Sequence, residues 1–353
     1  MNTRRAAWPP ALDAAFQIRG QPATAPSAGA RPDQQAAATA TGRATCARLG
    51  PPGESRRSHP GGGSDTPRGV GGAHLGERYS RQIALFGETG QQRLTAASVV
   101  LIGLGALGSH LAQQLAYLGV RRYTLLDGDT VGISDLNRLI GATVDHVGIP
   151  KAHIAARLIR GIQPAADVRV IAEPVPVALL DSGAAFGSAT AVIAGLGSDT
   201  VRFILTELCS IAGVPYVDAA SDIRRAGADL VYGGRVVVAG PAAGCLFCRG
   251  ELDRRENASQ AVSPHERQAG AASHGVGAAA LLGSGASVVT INGVVASLAA
   301  TEISCLISGL RPPYGMLTYR AHEGIVIRSG DPPTRHCPYC ARWAAAGTTP
   351  DPG

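Results

Sequence analysis

The segment SVVLIGLGALGSHLAQQLAYLGVRRYTLLDGD, residues 98–129, restricts the fold more than any other part of the chain. Its β-branched and aliphatic opening reads as a strand buried on both faces. Gly103, Gly105 and Gly108 separate that strand from ALGSHLAQQLAYLGV, whose apolar spacing is helical. A second buried strand, RRYTLL, runs into Asp127 and Asp129. Strand, glycine turn, helix and strand in this order form a parallel βαβ unit. Glycines there let backbone approach a ligand, the helix N-terminus favours an anion, and a carboxylate closing the next strand suits a ribose hydroxyl.

The alternation continues. KAHIAARLIRGIQP is helical and stops at Pro164; VRVIAEPVPV and ATAVIAGLG are strands; VRFILTELCSIAGV is a helix; PYVDAAS is a strand. The expected fold is therefore α/β: a doubly wound, mainly parallel, Rossmann-like sheet. GADLVYGGRVVVAG reads as an antiparallel hairpin pair that extends the sheet. GASVVTINGVVASLAATEISCLISGL reads as a small-residue-rich helix, apolar all round and so buried. ERYSRQIALFGETGQQRLTAA, ahead of the first strand, reads as one or two amphipathic helices.

Residues 1–74 are crowded with Ala, Gly, Pro, Ser and Arg and show no apolar period, so a disordered tail is expected there. The tail is either a tether or the product of a start codon assigned too far upstream. Nine arginines against four acids give it +5 of the chain's formal +6, so the sequence pI of about 9.1 belongs mostly to the tail and is only a weak argument for nucleic acid. It has neither an apolar run of signal-peptide length nor an amphipathic transit helix. Later apolar stretches are interrupted by Gly, Asp and Asn, so no membrane span is expected and the expected location is cytoplasmic. Residues 75–345 are expected to form one domain in two parts, 75–222 with the glycine turn and 223–345 with the hairpin. Residues 346–353 are expected to be disordered.

Cys245 and Cys248 in GCLFC, with Cys337 and Cys340 in HCPYC, form two couplets beside Gly or Pro, the arrangement that turns two thiolates toward one metal. Four thiolates close a tetrahedral zinc site, which is then structural; the alternatives are a disulfide pair or chance spacing. Cys209 and Cys305 fall in apolar helices and read as core, while Cys46 lies in the tail. In LLDGDTVGISDLNRL, Asp127, Asp129, Asn137 and Arg138 crowd the carboxyl edge of the sheet, where ligands of open α/β sheets bind. The plainer reading is a polar loop capped by Ser134 or Asp135. Of 32 Lys and Arg residues only Lys151 is a lysine. A compact ammonium suits phosphate oxygens as a point charge, which a forked guanidinium does not reproduce; the alternative is a chance remnant of arginine bias.

Taken in order, ERYSRQIALFGETGQQRL, VVLIGLGALGS, LLDGDTVGISDLNRL, GIPKAHIAARLI, IQP, ILTELC, GVPYVDAAS, GCLFC, GVVASLAATEI and HCPYC resemble the ThiF/MoeB/HesA family, bacterial relatives of ubiquitin-activating enzymes, over residues 77–342. The resemblance implies an adenylyltransferase. MgATP is attacked by the C-terminal carboxylate of a small ubiquitin-like or sulfur-carrier protein ending in Gly-Gly, giving an acyl-adenylate and pyrophosphate. It implies that Gly103, Gly105 and Gly108 admit the nucleotide, Asp127 takes the ribose, Asp129 faces the same pocket, and Asn137, Arg138 and Lys151 reach the triphosphate. It also implies a homodimer in which Arg81 projects into the neighbouring subunit's site.

Departures from the family pattern carry their own expectations. Asp135 stands where the family writes Asn, adding negative charge near the phosphates that should weaken ATP binding unless magnesium sits there. The magnesium-binding acid aligns with Gly197-Ser198; Asp199, two residues on, is the candidate replacement, alone or sharing the ion with Asp129. Between Arg249 and His336 the only cysteine is Cys305, so the crossover loop carries no thiol and the reaction is expected to stop at the adenylate. His265 and His274 in that loop read as solvated polar residues. The alternatives are a nucleotide-binding scaffold with little turnover, activation of a peptide or tRNA-linked carboxylate, and an NAD-dependent oxidoreductase, which leaves the cysteine couplets unexplained.

Overall fold

A computed structural model describes residues 73–346 apart from 176–178, 180–182, 227–228, 241–242, 253–285 and 330–336. Most of the expected tail with Cys46, the loop histidines His265 and His274, and the last seven residues lie outside the described residues. The chain runs α1 (Ala73–Ala96), β1 (Ser98–Ile102), α2 (Ala106–Leu118), β2 (Arg122–Leu126), α3 (Lys151–Ile162), β3 (Asp167–Ile171), α4 (Gly183–Gly187), β4 (Ala191–Ala194), α5 (Asp199–Ala212), β5 (Tyr216–Ala226), β6 (Asp229–Ala239), α6 (Val289–Ser308), β7 (Met316–Arg320), β8 (Ile325–Arg328) and α7 (Pro338–Ala346).

All eight strands join one sheet in the order β3-β2-β1-β4-β5-β6-β7-β8. The first five are parallel and β6, β7 and β8 are antiparallel, as expected of a doubly wound sheet with an extension. The extension is built differently from the sequence reading. GADLVYGGRVVVAG is no hairpin pair; its residues Asp229–Ala239 form one strand, β6, whose partner β5 is PYVDAAS prolonged to Ala226. The two glycines that resemble a turn serve close packing. A Cβ on Gly233 would lie 1.9 Å from the Tyr319 carbonyl oxygen, and one on Gly234 would lie 2.4 Å from that of Ala220. VRVIAEPVPV is strand only as far as Ile171.

One face of the sheet is covered by α2, α3 and α6. Leu111 and Leu115, one helical turn apart on α2, are fully buried there, and each contributes about 1.5–3 kcal/mol relative to exposure. The α6 residues Ala296, Ala299 and Ala300 pack in the same core, where short side chains let helices approach closely. By length and composition α6 could cross a membrane, so Asn292 and Gly293 do not interrupt it as the sequence suggested. Asn292 instead accepts from Ser221 Oγ at 2.7 Å and donates to Ser287 Oγ at 2.8 Å, while the helix buries one side against the sheet and leaves Val294 38% exposed. The other face is covered by α5, α7 and the first cysteine couplet, around Tyr216 and Trp343. Cys209 and Cys305 are core residues. Helix α1 is two segments joined at Gly87, whose φ of 69° and ψ of 169° break the helical path.

Candidate active site

Strands β1 and β4 are neighbours, yet α2 leaves β1 toward one face and α5 leaves β4 toward the other. Such a divergence opens a crevice at the carboxyl ends of the two strands. Gly103 lies in it at φ 76°, with room for no side chain: a Cβ would meet Leu196 at 2.7 Å and the Gly195 carbonyl at 2.8 Å. A Cβ on Gly108 would lie 1.9 Å from the Gly103 carbonyl, so this glycine lets α2 start directly over the turn. Gly105, the N-cap of α2, faces open space, with nothing within 4 Å of an added Cβ. The first amides of a 13-residue helix that lack intrahelical acceptors therefore border an open, backbone-lined cradle.

Asp127 stands beside this cradle, 5% exposed. Its Oδ2 accepts the Leu104 N–H at 2.5 Å and its Oδ1 the Asp129 N–H at 2.8 Å, so it ties the glycine turn to the loop after β2. Burial raises its carboxyl above the usual carboxylate range, against the lowering effect of those two donors. Asp129 is 75% exposed. Lys151, the first residue of α3, bridges Asp129 Oδ2 at 3.3 Å and Asp135 Oδ2 at 3.4 Å. A cation at a helix N-terminus opposes the helix dipole, so local helix electrostatics do not account for it; nearby negative charge does.

Asp135, where the family writes Asn, is paired within the loop. Its carboxylate meets Lys151, Arg138 Nη2 at 3.2 Å and the Gly132 N–H at 3.0 Å, because the short turn Ile133–Asp135 folds it back into the loop. Arg138 also donates to the Ser134 carbonyl, and Asn137 beside it is exposed. Asp199 begins α5 and pairs with Arg202 Nη1 at 2.5 Å. Neither it nor Asp129 belongs to a cluster of three or more potential metal ligands among the described residues. Arg81 lies on the exposed side of α1, one turn from Leu85, which is 61% exposed.

Sequence reasoning missed Arg202, Asp218, Arg235 and Glu251. Arg202 is 7% and Asp218 0% exposed. Asp218 meets Arg202, 16 residues before it on α5, and Arg235 across the β5–β6 pair, so apart from the Asp199–Arg202 pair no local spacing announces them.

The four cysteines do converge. Their sulfurs all lie within 4.8 Å of one another, with Cys245 3.7 Å from Cys248 and 3.6 Å from Cys337, and Cys248 3.5 Å from Cys340. Tetrahedral zinc with sulfur at about 2.3 Å requires sulfurs roughly 3.8 Å apart, whereas a disulfide requires about 2 Å. The thiols therefore fit a metal and not two disulfides, and all are free. Hydrogen bonding from the neighbouring thiols, Cys340 first, lowers Cys245 to about 5.

The ThiF family matches residues 79–338. Protein HesA, vegetative, of Trichormus variabilis is 31% identical over 269 residues, which cover 75% of this chain and 89% of that protein. SAMP-activating enzyme E1 of Haloferax volcanii is 36% identical over 148 residues, 41% of this chain and 53% of that one. Adenylyltransferase and sulfurtransferase MOCS3 of Xenopus laevis is 32% identical over 253 residues, 70% of this chain and 49% of that one. The chain thus spans about half the length of these last two relatives. E. coli MccB solved with ATP shares the fold, with a TM-score of 0.57, 20% identity and 77% of each chain covered. With its glycine turn, carboxylate loop and four-cysteine cluster brought together on a matching fold, the chain belongs to the ThiF family.

Proposed function

We propose that this protein is an adenylyltransferase that activates the C-terminal carboxylate of a ubiquitin-like or sulfur-carrier protein ending in Gly-Gly. One observation carries the reading: an open glycine cradle, a buried acid and the chain's single lysine meet at the switch point of the sheet. The names of the relatives support it, among them sulfur carrier protein adenylyltransferase of Thermus thermophilus, 33% identical over 146 residues.

In this reading Gly103, Gly105 and Gly108 admit the nucleotide and Asp127 accepts from its ribose. A carboxylate oxygen of the carrier attacks the α-phosphorus, the bond from that phosphorus to the α,β-bridging oxygen breaks, and pyrophosphate leaves with the electron pair. Lys151, Arg138 and Asn137 hold the phosphate oxygens on which negative charge grows. Lys151 and Arg138 reach phosphate by exchanging carboxylate partners, since both are paired with acids. Magnesium, which neutralises phosphate charge, would be held by the exposed Asp129, and by Asp199 once Arg202 releases it. Arg81, exposed beside Leu85, completes the site of a second subunit in a homodimer. Zinc on Cys245, Cys248, Cys337 and Cys340 is structural, because four thiolates leave it no open position. The adenylate then passes to a separate thiol or sulfur donor.

A second reading, a nucleotide-binding scaffold with little turnover, is favoured by Gly197 and Ser198 in place of the magnesium acid and by the Asp199–Arg202 pair. ATP–pyrophosphate exchange with Gly-Gly-ended carriers from the same genome, with peptides as a parallel series, tests both. Carrier-dependent exchange supports the first reading; ATP binding without exchange supports the second; NADH binding in place of ATP removes both.

A further inference from the structure

A chain of ion pairs centred on the wholly buried Asp218 runs from just past the first cysteine couplet to the crevice, and the reaction proposed above calls only on its Asp199 end. At one end, Glu251, just past the first couplet, meets Arg235 Nε. Arg235 Nη1 reaches Asp218 Oδ2 at 2.5 Å. Asp218 and Arg235 are diagonal neighbours on paired strands, since Ala220 stands opposite Arg235 and Val237 opposite Asp218. Asp218 is wholly buried, and its Oδ1 also accepts from Arg202 Nε at 3.1 Å and from Tyr216 Oη at 3.0 Å. Arg202 spends its other two nitrogens on the crevice, donating to the Leu196 carbonyl and to Asp199 Oδ1 at 2.5 Å. Leu196 in turn packs on Gly103, where an added Cβ would come within 2.7 Å of it.

We infer that Asp218 is a positioning residue for nucleotide binding: through Arg202, which keeps the Leu196 carbonyl when Asp199 turns to magnesium, it fixes Leu196 against the glycine turn. The argument is one of charge and geometry. A guanidinium has five donors in a rigid plane, so an acid held on its Nε edge sets the direction of both remaining nitrogens. Asp218 cannot swing away, because Tyr216 and Arg235 hold it from other sides. Three acids face two arginines along the chain, so Asp218 also neutralises Arg202 and leaves Asp199 with its charge. Without Asp218, Arg202 would close on Asp199 alone and Leu196 would lose its buried anchor. The assignment rests on the adenylation reading, but its test separates the two.

The test is calorimetry of a nonhydrolysable ATP analogue with magnesium on the full chain, alongside exchange kinetics and thermal unfolding. Asp218→Asn is expected to weaken analogue binding roughly tenfold or more and to raise the ATP KM by a similar factor, with kcat changed by less than about threefold. Adding Arg202→Gln to Asp218→Asn removes the uncompensated buried cation, so thermal stability should recover while analogue affinity does not, because Leu196 still lacks its anchor. A purely structural role would restore both. Arg202→Lys, which keeps the charge but has its donors on one nitrogen and cannot span partners spread over Nε, Nη1 and Nη2, serves if Asp218→Asn does not fold, and should weaken the analogue to a similar degree. Wild-type affinity in the folded Asp218→Asn or Arg202→Lys variant, or recovery of affinity in the double variant, overturns the inference. Failure of the wild-type protein to bind the analogue counts against the adenylation reading instead.

Discussion

Replacing Lys151 with alanine removes an ammonium that stands 3.3 Å from Asp129 and 3.4 Å from Asp135. The cost to folding is small. Asp129 is 75% exposed, so that pair contributes at most about 1 kcal/mol. Asp135 keeps Arg138 and the Gly132 N–H when the lysine is gone. A total loss of about 1 kcal/mol corresponds to a Tm lowered by roughly 2–4 °C in a domain of this size. The nucleotide loses far more. One charge-assisted hydrogen bond to phosphate contributes about 1.5–3 kcal/mol, or roughly 10- to 150-fold in affinity. Two carboxylates freed from their cation then face the phosphates, which places the effect toward the upper end. Loss of a donor that also stabilises the transition state lowers turnover by roughly a further hundredfold. ATP–pyrophosphate exchange and ATP calorimetry measure these quantities, and thermal unfolding supplies the control. Exchange within about threefold of wild type would refute the phosphate assignment. A Tm lowered by more than roughly 10 °C would show Lys151 to be a structural strut.

Gly108→Ala places a methyl 1.9 Å from the Gly103 carbonyl and should destabilise by about 3 kcal/mol or more, read as a lowered Tm. Gly105→Ala meets nothing within 4 Å, so Tm should hold while ATP affinity falls; the reverse pattern would place the nucleotide elsewhere. If zinc occupies the four-cysteine cluster as proposed, a chelator should free α7, whose Trp343 is buried and donates to the Val214 carbonyl at 2.9 Å; its fluorescence should shift to the red, and an unchanged spectrum would separate the cluster from that helix. Because Cys245 is lowered to about 5, zinc loading at neutral pH should release fewer than four protons, measured by calorimetry in buffers of different ionisation enthalpy. Mixing Arg81→Ala with Lys151→Ala protein should recover part of the exchange activity if each site takes an arginine from its neighbour, and no recovery would remove Arg81 from the site.

Glycine turn, flanking strands and cysteine couplets were legible from residue order because their physics is local or strongly periodic. A glycine that must stand at φ 76°, an apolar run buried on both faces, and two thiols three residues apart each declare their own requirement. Strand lengths beyond Asp218 were not legible. Gly233 and Gly234 look like a turn until β7 is seen to run so close that a Cβ on Gly233 would lie 1.9 Å from its Tyr319 carbonyl, and only strand pairing brings β7 there. Charge state was likewise undecidable along the chain. Asp135 reads in sequence as added negative charge and is paired three ways in space, while Asp199 reads as a candidate metal ligand and is held by Arg202. Composition and period act over a few residues and choose the layers of the sheet. Which carboxylate answers which guanidinium depends on groups brought together by the folded sheet from far along the chain, as Glu251, Arg235, Asp218 and Arg202 are, and that pairing belongs to the tertiary structure alone.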